Sequence, residues 1–252
     1  MVQPSLAVLE RHLLLYRRLW KASVFSFFAL PLLFLVSIGA GVGGYVGEVD
    51  GVPYLDWIAP GILAATAYQI AANESTYGVL SEFEWVGGIH AMRGTRVTIR
   101  DMIAGWLLYL LCVVTLSVAA FLAIAWTFGA LHSPWALTVP LVCALLTPGA
   151  AGPTMAFAAS IRNDGYFELL IRFVVIPTTL FAGVFFPVGE LPDGFRQLAH
   201  ASPLWHGVEL CRAASLGTPP AWPVAWHIGY LLLWAVAGWI CAEAAFRRRL
   251  AS

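Results

Sequence analysis

"GVFFPVGELPDGFRQLAHASPLWHGVEL", Gly183 to Leu210, is the stretch whose reading decides the fold. It is too apolar for a solvent loop. Yet Pro187, Pro192 and Pro203, together with Gly183, Gly189, Gly194 and Gly207, forbid one continuous spanning helix, because proline removes a backbone donor and clashes with the preceding turn. Backbone that is not continuous helix survives at membrane depth only when it is buried in protein or lines a wet cavity. A broken apolar segment of this kind is expected to roof a pathway or seal its exit, with a plain extracellular loop as the alternative reading.

The composition places the segment in a membrane protein. Of 252 residues, 60% are hydrophobic and 11% charged, and the mean hydropathy is +0.79, whereas soluble domains carry about 25% charged residues. Ala22 to Gly47 and Trp57 to Asn73 contain no Asp, Glu, Lys or Arg. Met102 to Ile161 contains none either, and "GALHSP" at Gly129 to Pro134 divides it into two. Since about 20 apolar residues cross the hydrocarbon core, these runs predict four spans. Phe173 to Gly189 supplies a fifth, and a sixth begins near Ala225, after "GTPPAWP" at Gly217 to Pro223. The expectation is an all-α polytopic membrane protein, a single transmembrane domain over residues 1–252 with six spans.

Arginine placement sets the orientation, because Lys and Arg in short loops stay cytoplasmic. Twelve of the 14 cations fall before span one, between spans two and three, between spans four and five, or after span six; only Arg196 and Arg212 lie in the opposite loops. Both termini are therefore expected in the cytoplasm, and residues 183–223 outside. Residues 1–21 do not follow the signal-peptide pattern of a short apolar core directly after a few basic residues. Leu6, Leu9, Leu13, Tyr16 and Trp20 recur at spacings of three and four with Arg11, Arg17 and Arg18 off the stripe, the pattern of an amphipathic helix lying in the cytoplasmic interface.

Several chemistries lack their signatures. There is no GxSxG elbow, no HExxH, and no P-loop, for which a lysine after a glycine-rich turn is required; the one lysine, Lys21, sits in "RLWKAS". His206 and Glu209, three apart in "HGVE", would share a helical face, but metal sites need three or four ligands; polar residues at an interface are the stronger reading. Cys112, Cys143, Cys211 and Cys241 are scattered and read as small packing residues. In span two, Gln69, Asn73 and Thr76 recur at four and three residues, with Glu74 near the cytoplasmic end. Polar groups within spans are candidates for a substrate pathway, while interhelical hydrogen bonds that hold the bundle are an equal reading. The loop over residues 80–100 places Val79, Phe83 and Val86 at helical spacing ahead of Gly87 and Gly88, which predicts a short amphipathic helix suited to docking a partner.

"NESTYG" at the end of span two, "RGTRVTIRDMIAGWLLY", and "GVFFPVGELPDGFRQLAHASPLWHGVELCRAASLG" together resemble the ABC-2 type exporter permeases, most closely the nodulation-factor (lipo-oligosaccharide) and daunorubicin-resistance branches. The resemblance covers nearly the whole chain. It implies short outer re-entrant helices marked here by Phe186, Pro187, Leu191, Pro192, Pro203, Leu204, Arg212 and Gly217. It also implies a coupling region at Glu82, Phe83, Glu84, Trp85, His90, Met92 and Arg93 that fits a groove on a separate cytoplasmic ATPase. Where many relatives have a Thr-Pro turn after that region, this chain has "RGT", Arg93 to Thr95.

By the same resemblance the chain binds no cofactor and catalyses nothing itself. ATP and Mg would sit on two partner P-loop ATPase subunits, and a second copy or a related permease would complete the assembly in the lipid of a bacterial cytoplasmic membrane. No nucleic-acid partner is expected. The substrate would be a drug or antibiotic, a lipid or a glycolipid, since the spans offer no fixed charge to compensate an ion. The competing reading, an ion-coupled secondary transporter of a hydrophobic compound, would be expected to show ionisable residues near midplane.

Overall fold

The computed structural model describes residues 3–24, 43–127 and 132–251, with isolated positions between 29 and 41. Helix α1 (Pro4–Val24) is followed by a short α2 (Gly43–Val46) and an antiparallel ribbon of β1 (Glu48–Val49) and β2 (Val52–Pro53), in which Val49 faces Val52. Then come α3 (Tyr54–Glu84), α4 (Gly88–Arg93), α5 (Ile99–Thr127), a 3-10 turn (Pro134–Thr138) and α6 (Val139–Ser160). Helices α7 (Gly165–Leu170) and α8 (Ile176–Phe181) are joined by a π-helical turn (Ile171–Val175). A second 3-10 turn (Val188–Glu190), α9 (Asp193–His200), α10 (Pro203–Leu216) and α11 (Val224–Ala251) complete the chain.

Among the described residues three helices are long and apolar enough to cross a membrane: Ile99–Trp126, Pro134–Ser160 and Val224–Ala251. They correspond to the third, fourth and sixth runs of the sequence. The first expected span, Ala22 to Gly47, lies largely outside the described residues. The second falls within α3, whose 31 residues extend about 46 Å at 1.5 Å per residue. Its Gln, Asn, Ser, Thr and Glu residues make it less apolar than the other three, and they are tolerated because α3 is buried along almost its entire length.

Two boundaries correct the sequence reading. Val79 and Phe83 do not begin a separate amphipathic helix; they are the buried last turns of α3, which continues because nothing between Asn73 and Glu84 breaks it. Gly87, in the left-handed region at φ 68°, turns the chain, and the separate helix is α4. The fifth apolar run begins earlier and ends earlier than Phe173 to Gly189. Its helical rod runs from Gly165 through the π turn to Phe181 and stops where Gly183 takes φ 76°. The charges of Glu168 and Arg172 do not interrupt it, since they pair with each other at 3.2 Å, four residues apart.

Close backbone approach fixes the packing. A Cβ at Gly152 on α6 would lie 2.5 Å from the carbonyl carbon of Gly238 on α11. A Cβ at Gly105 on α5 would lie 2.5 Å from that of Val8 on α1. Small residues that let helices touch are how bundles gain van der Waals contact in lipid, where apolar side chains have no water to escape. Helix α1 presents Val8 and His12, both buried, with half-buried Leu9 and Tyr16 to the bundle, while Leu6, Leu13, Leu14 and Leu15 are exposed. The stripe read from the sequence is thus divided: Leu9 and Tyr16 face protein, Leu6 and Leu13 form an apolar outer surface, and the side chain of Trp20 lies outside the described set.

Gly152→Val should drive a branched side chain into the α11 backbone and cost about 1–3 kcal/mol, lowering the thermal unfolding midpoint in detergent micelles by several degrees. Gly229→Val, where a Cβ meets nothing within 4 Å, is the matched control and should leave the midpoint within about a degree or two.

Candidate functional site

The residues expected to couple to a partner converge at the end of the bundle where α1, α3, α4, α6 and α11 meet. Glu82 is buried and accepts two hydrogen bonds from Arg11 Nη2, at 2.9 and 2.8 Å. Phe83 is buried too, edge-on to Phe246 of α11 at 5.1 Å between centroids. The Arg249 guanidinium stands 4.5 Å over the Phe83 ring, pairs with Glu84, and donates to the carbonyls of Ala158, Ala159 and Ile161 at the end of α6. Those are carbonyls that a helix C-terminus leaves without intrahelical partners, so one side chain caps α6 and ties it to α3. Arg93 donates to the carbonyl of Leu250 at 2.5 Å, which brings α4 onto the end of α11.

This arrangement sorts the expected coupling residues into two sets. Glu82 and Phe83 are consumed by contacts within the chain and have no surface to offer, and half-buried Met92 packs against the core. Trp85 and Val86 are 64% and 61% exposed, His90 and Arg93 are exposed as well, and Glu84 keeps part of its carboxylate in solvent. Trp85 and Val86 thus form an apolar pair at the tip of a turn, held from beneath by the Arg11–Glu82 and Arg249–Glu84 ion pairs. Arg11 and Arg249 were not named as candidates from the sequence. Their only linear signal is that each interrupts or ends a patterned helix, which many surface arginines also do.

Polar residues of α3 divide in the same way. Gln69 and Asn73 are exposed on one stripe, four residues apart, and Tyr77 continues it. Thr76 is not on that stripe: it is buried and donates to the Asn73 carbonyl at 2.7 Å. Glu74 accepts a hydrogen bond from Tyr109 of α5 at 3.1 Å.

At the opposite end the broken segment is densely bonded. Leu191, Pro203 and Leu204 are buried, Phe186 and Pro187 half-buried, and Pro192 exposed. Arg212 carries most of the architecture: it donates to the Gly183 carbonyl at 2.7 Å and to Glu209 at 3.2 Å, and its guanidinium lies 3.8 Å from the centre of the Trp57 ring. Glu209 also accepts from the Ala221 amide at 3.0 Å. The His206 and Glu209 pair therefore separates, each side chain taking a different partner. His206 Nδ1 is 2.9 Å from His227 Nδ1 on α11, and its Nε2 is 3.1 Å from the carbonyl oxygen of His200. Trp205, Trp222 and Tyr230 surround these imidazoles. Their density between residues 200 and 230 was visible in the sequence; their convergence was not. Among the described residues no three His, Cys, Asp or Glu side chains cluster as a metal site would need.

Helical rods packed through glycines, three of them long and apolar enough to cross a membrane, define an all-α membrane protein. The chain belongs to the family described as ABC-2 type transporter, whose model matches residues 5–216. Among similar proteins are nodulation protein J of Rhizobium leguminosarum bv. viciae, 31% identical over 97% of this chain and 94% of that protein, and nodulation protein J of Rhizobium meliloti (strain 1021), 31% identical over 97% and 93%. The inner membrane transport permease YadH of Escherichia coli (strain K12) is 24% identical over 92% of this chain and 90% of its own length. Membership implies partnership with ATPase subunits in an ABC transporter, and membrane subunits of this family are generally non-catalytic.

Two measurements probe the clasp. Glu82→Gln removes the charge that Arg11 answers and should cost on the order of 1–3 kcal/mol, part of the full penalty for breaking a buried pair because Arg11 is itself partly solvated; faster proteolytic release of α1 would report it. The second concerns His12, packed against Trp106 at 4.4 Å. Burial, reinforced by the adjacent Arg11 guanidinium, pushes His12 down from 6.5 to about 4. A detached α1 takes up a proton below pH 6.5 while the docked helix resists until about 4, so docking is at full strength above 6.5 and weakens as pH falls through that window. Hydrogen exchange in α1 should accelerate between pH 6.5 and 5 after correction for intrinsic rates, and His12→Gln should abolish that slope.

Proposed function

We propose that this chain is the permease subunit of an ATP-driven exporter, which moves a hydrophobic or amphipathic compound out of the cytoplasm or inner leaflet of a bacterial cytoplasmic membrane. It crosses six times with both termini cytoplasmic, α9 and α10 form the outer re-entrant segment, and it works with two cytoplasmic P-loop ATPases that hold ATP and Mg and with a second copy or a related permease. The stripe of Gln69 and Asn73 on α3 contributes to the substrate path, Glu74 holds that helix to α5 through Tyr109, and Thr76 bonds within α3 itself. The absence of any charged residue from Met102 to Ile161 supports a lipid, glycolipid or hydrophobic drug as cargo over a small ion, for which fixed compensating charge would be needed.

The observation that carries this reading is the exposed Trp85 and Val86 on a turn whose base is clasped to α1, α6 and α11. An ATPase that seats Trp85 in a groove and then rotates would push on Glu82 to Glu84, and the ion pairs would pass that displacement to three helices together. Force is transmitted because none of these contacts can shift alone. The residues act mechanically and do no chemistry.

Truncating a central aromatic anchor costs a typical interface about 2 kcal/mol or more, roughly a 30-fold loss of affinity. Trp85→Ala should therefore reduce recovery of the P-loop ATPase when the permease is purified from gently solubilised membranes, while Trp126→Ala, equally exposed but at the other end of α5, should not. Undiminished recovery with both Trp85→Ala and Trp85→Glu would refute the docking assignment.

A further inference from the structure

Helices α6 and α11 touch at Gly152 and Gly238 and are joined again at their ends by Arg249, which reaches the carbonyls of Ala158, Ala159 and Ile161. Between the crossing and the clasp lies an open cleft of about 830 Å³. Pro153 and Phe157 of α6 and Cys241 and Ala245 of α11 form its apolar floor, and Arg162 and Arg248 stand at its rim. Among the described residues no acidic side chain lines it. Arg249 is matched by Glu84, but among the described residues neither Arg162 nor Arg248 has a carboxylate within ion-pair distance: the other described arginine pairs are made by Arg11, Arg100, Arg172, Arg196, Arg212 and Arg247.

From this geometry we infer that the cleft binds the phosphate of an anionic glycerophospholipid, with the headgroup held by Arg162 and Arg248 and the first acyl carbons on the floor. Two positive charges with no counter-charge among the described residues, over an apolar cavity, match an amphiphile that is negative at one end and apolar at the other. Arginine suits the headgroup because its planar fork of donors fits phosphate oxygens. The path for the chain continues outward: Val236 and Ile240 are exposed and lie on the same i, i+4 row of α11 as Ala244, which lines the cleft. Both walls belong to helices apolar and long enough to cross the bilayer, so the floor lies within reach of lipid tails, and a soluble acidic protein surface would leave it empty. The inference does not depend on the exporter mechanism, since it uses no residue of the coupling turn or of the α3 stripe.

The test is retention of phosphatidylglycerol by the purified full-length protein, followed by native mass spectrometry during titration, beside phosphatidylcholine, glycerol 3-phosphate and inorganic phosphate. The Arg162→Gln/Arg248→Gln double variant should lose affinity for phosphatidylglycerol by about tenfold or more, as expected for two cationic contacts to a lipid surface, and phosphatidylcholine should be unaffected. Ala245→Phe, which fills the floor without changing charge, should also weaken retention. Arg96→Gln, an exposed cation outside the cleft, should leave it unchanged. Equal retention by wild type and double variant, or an equal loss with Arg96→Gln, would overturn the site. Glycerol 3-phosphate or inorganic phosphate binding as tightly as the lipid would overturn its assignment to a lipid. Loss of ATPase association in the double variant with lipid retention intact would show the rim to be a protein contact instead.

Discussion

The contact of Gly152 with Gly238 sets the geometry on which the rest of the bundle depends. In hydrocarbon there is no hydrophobic drive to bring two apolar helices together, so their association rests on how closely their surfaces can approach. A side chain at either position would separate the α6 and α11 backbones. Everything at the clasped end follows from that approach: Arg249 can reach the last carbonyls of α6 only because α11 crosses it nearby, and Phe246 can meet Phe83 only because α11 then passes under α3. The cleft between the two helices lies between their glycine contact and the Arg249 tie.

The clasped end joins groups whose separate contributions are small. An exposed ion pair gives well under 1 kcal/mol, and Arg100 with Glu243 or Arg247 with the same carboxylate are of that kind. Glu82 and Arg249 differ because they are mostly withdrawn from water, and Arg249 also serves more than one neighbour. Withdrawal raises the cost of separating the partners, which makes the junction stiff without making it especially stable. Stiffness is the property that the proposed coupling role would require.

Much of the fold was legible in the sequence because the bilayer imposes a simple rule: a run of about 20 residues without charge becomes a helix. Where that rule applies alone, as in α5, α6 and α11, the runs and the helices agree. It misplaced the fifth run because Glu168 and Arg172 satisfy each other across one turn, so charge did not mark the end of the helix. It also divided α3 near Asn73, since a helix buried in protein can carry polar residues that lipid would not accept. Candidate coupling residues were legible as a neighbourhood and not as roles. Glu82 and Trp85 look alike in a linear pattern; only the positions of Arg11 and Arg249, 71 and 165 residues from their partners, show that one is an internal anchor and the other a free surface. Apolar periodicity in α1 likewise could not say which leucines face protein, because lipid and protein select the same side chains.

The imidazole pair at the opposite end has a consequence in the placement of single protons. His206 Nε2 faces a carbonyl oxygen, which can only accept, so that nitrogen must carry hydrogen. With both rings neutral, His206 Nδ1 is then bare, and the proton between the rings belongs to His227 Nδ1. The result is a one-way chain of donors running from α11 through α10 into the last carbonyl of α9. Its direction is fixed by that carbonyl, and a proton added at His206 Nδ1 would set N–H against N–H at 2.9 Å. Both helices of the broken segment and the start of α11 thus share one hydrogen-bond polarity.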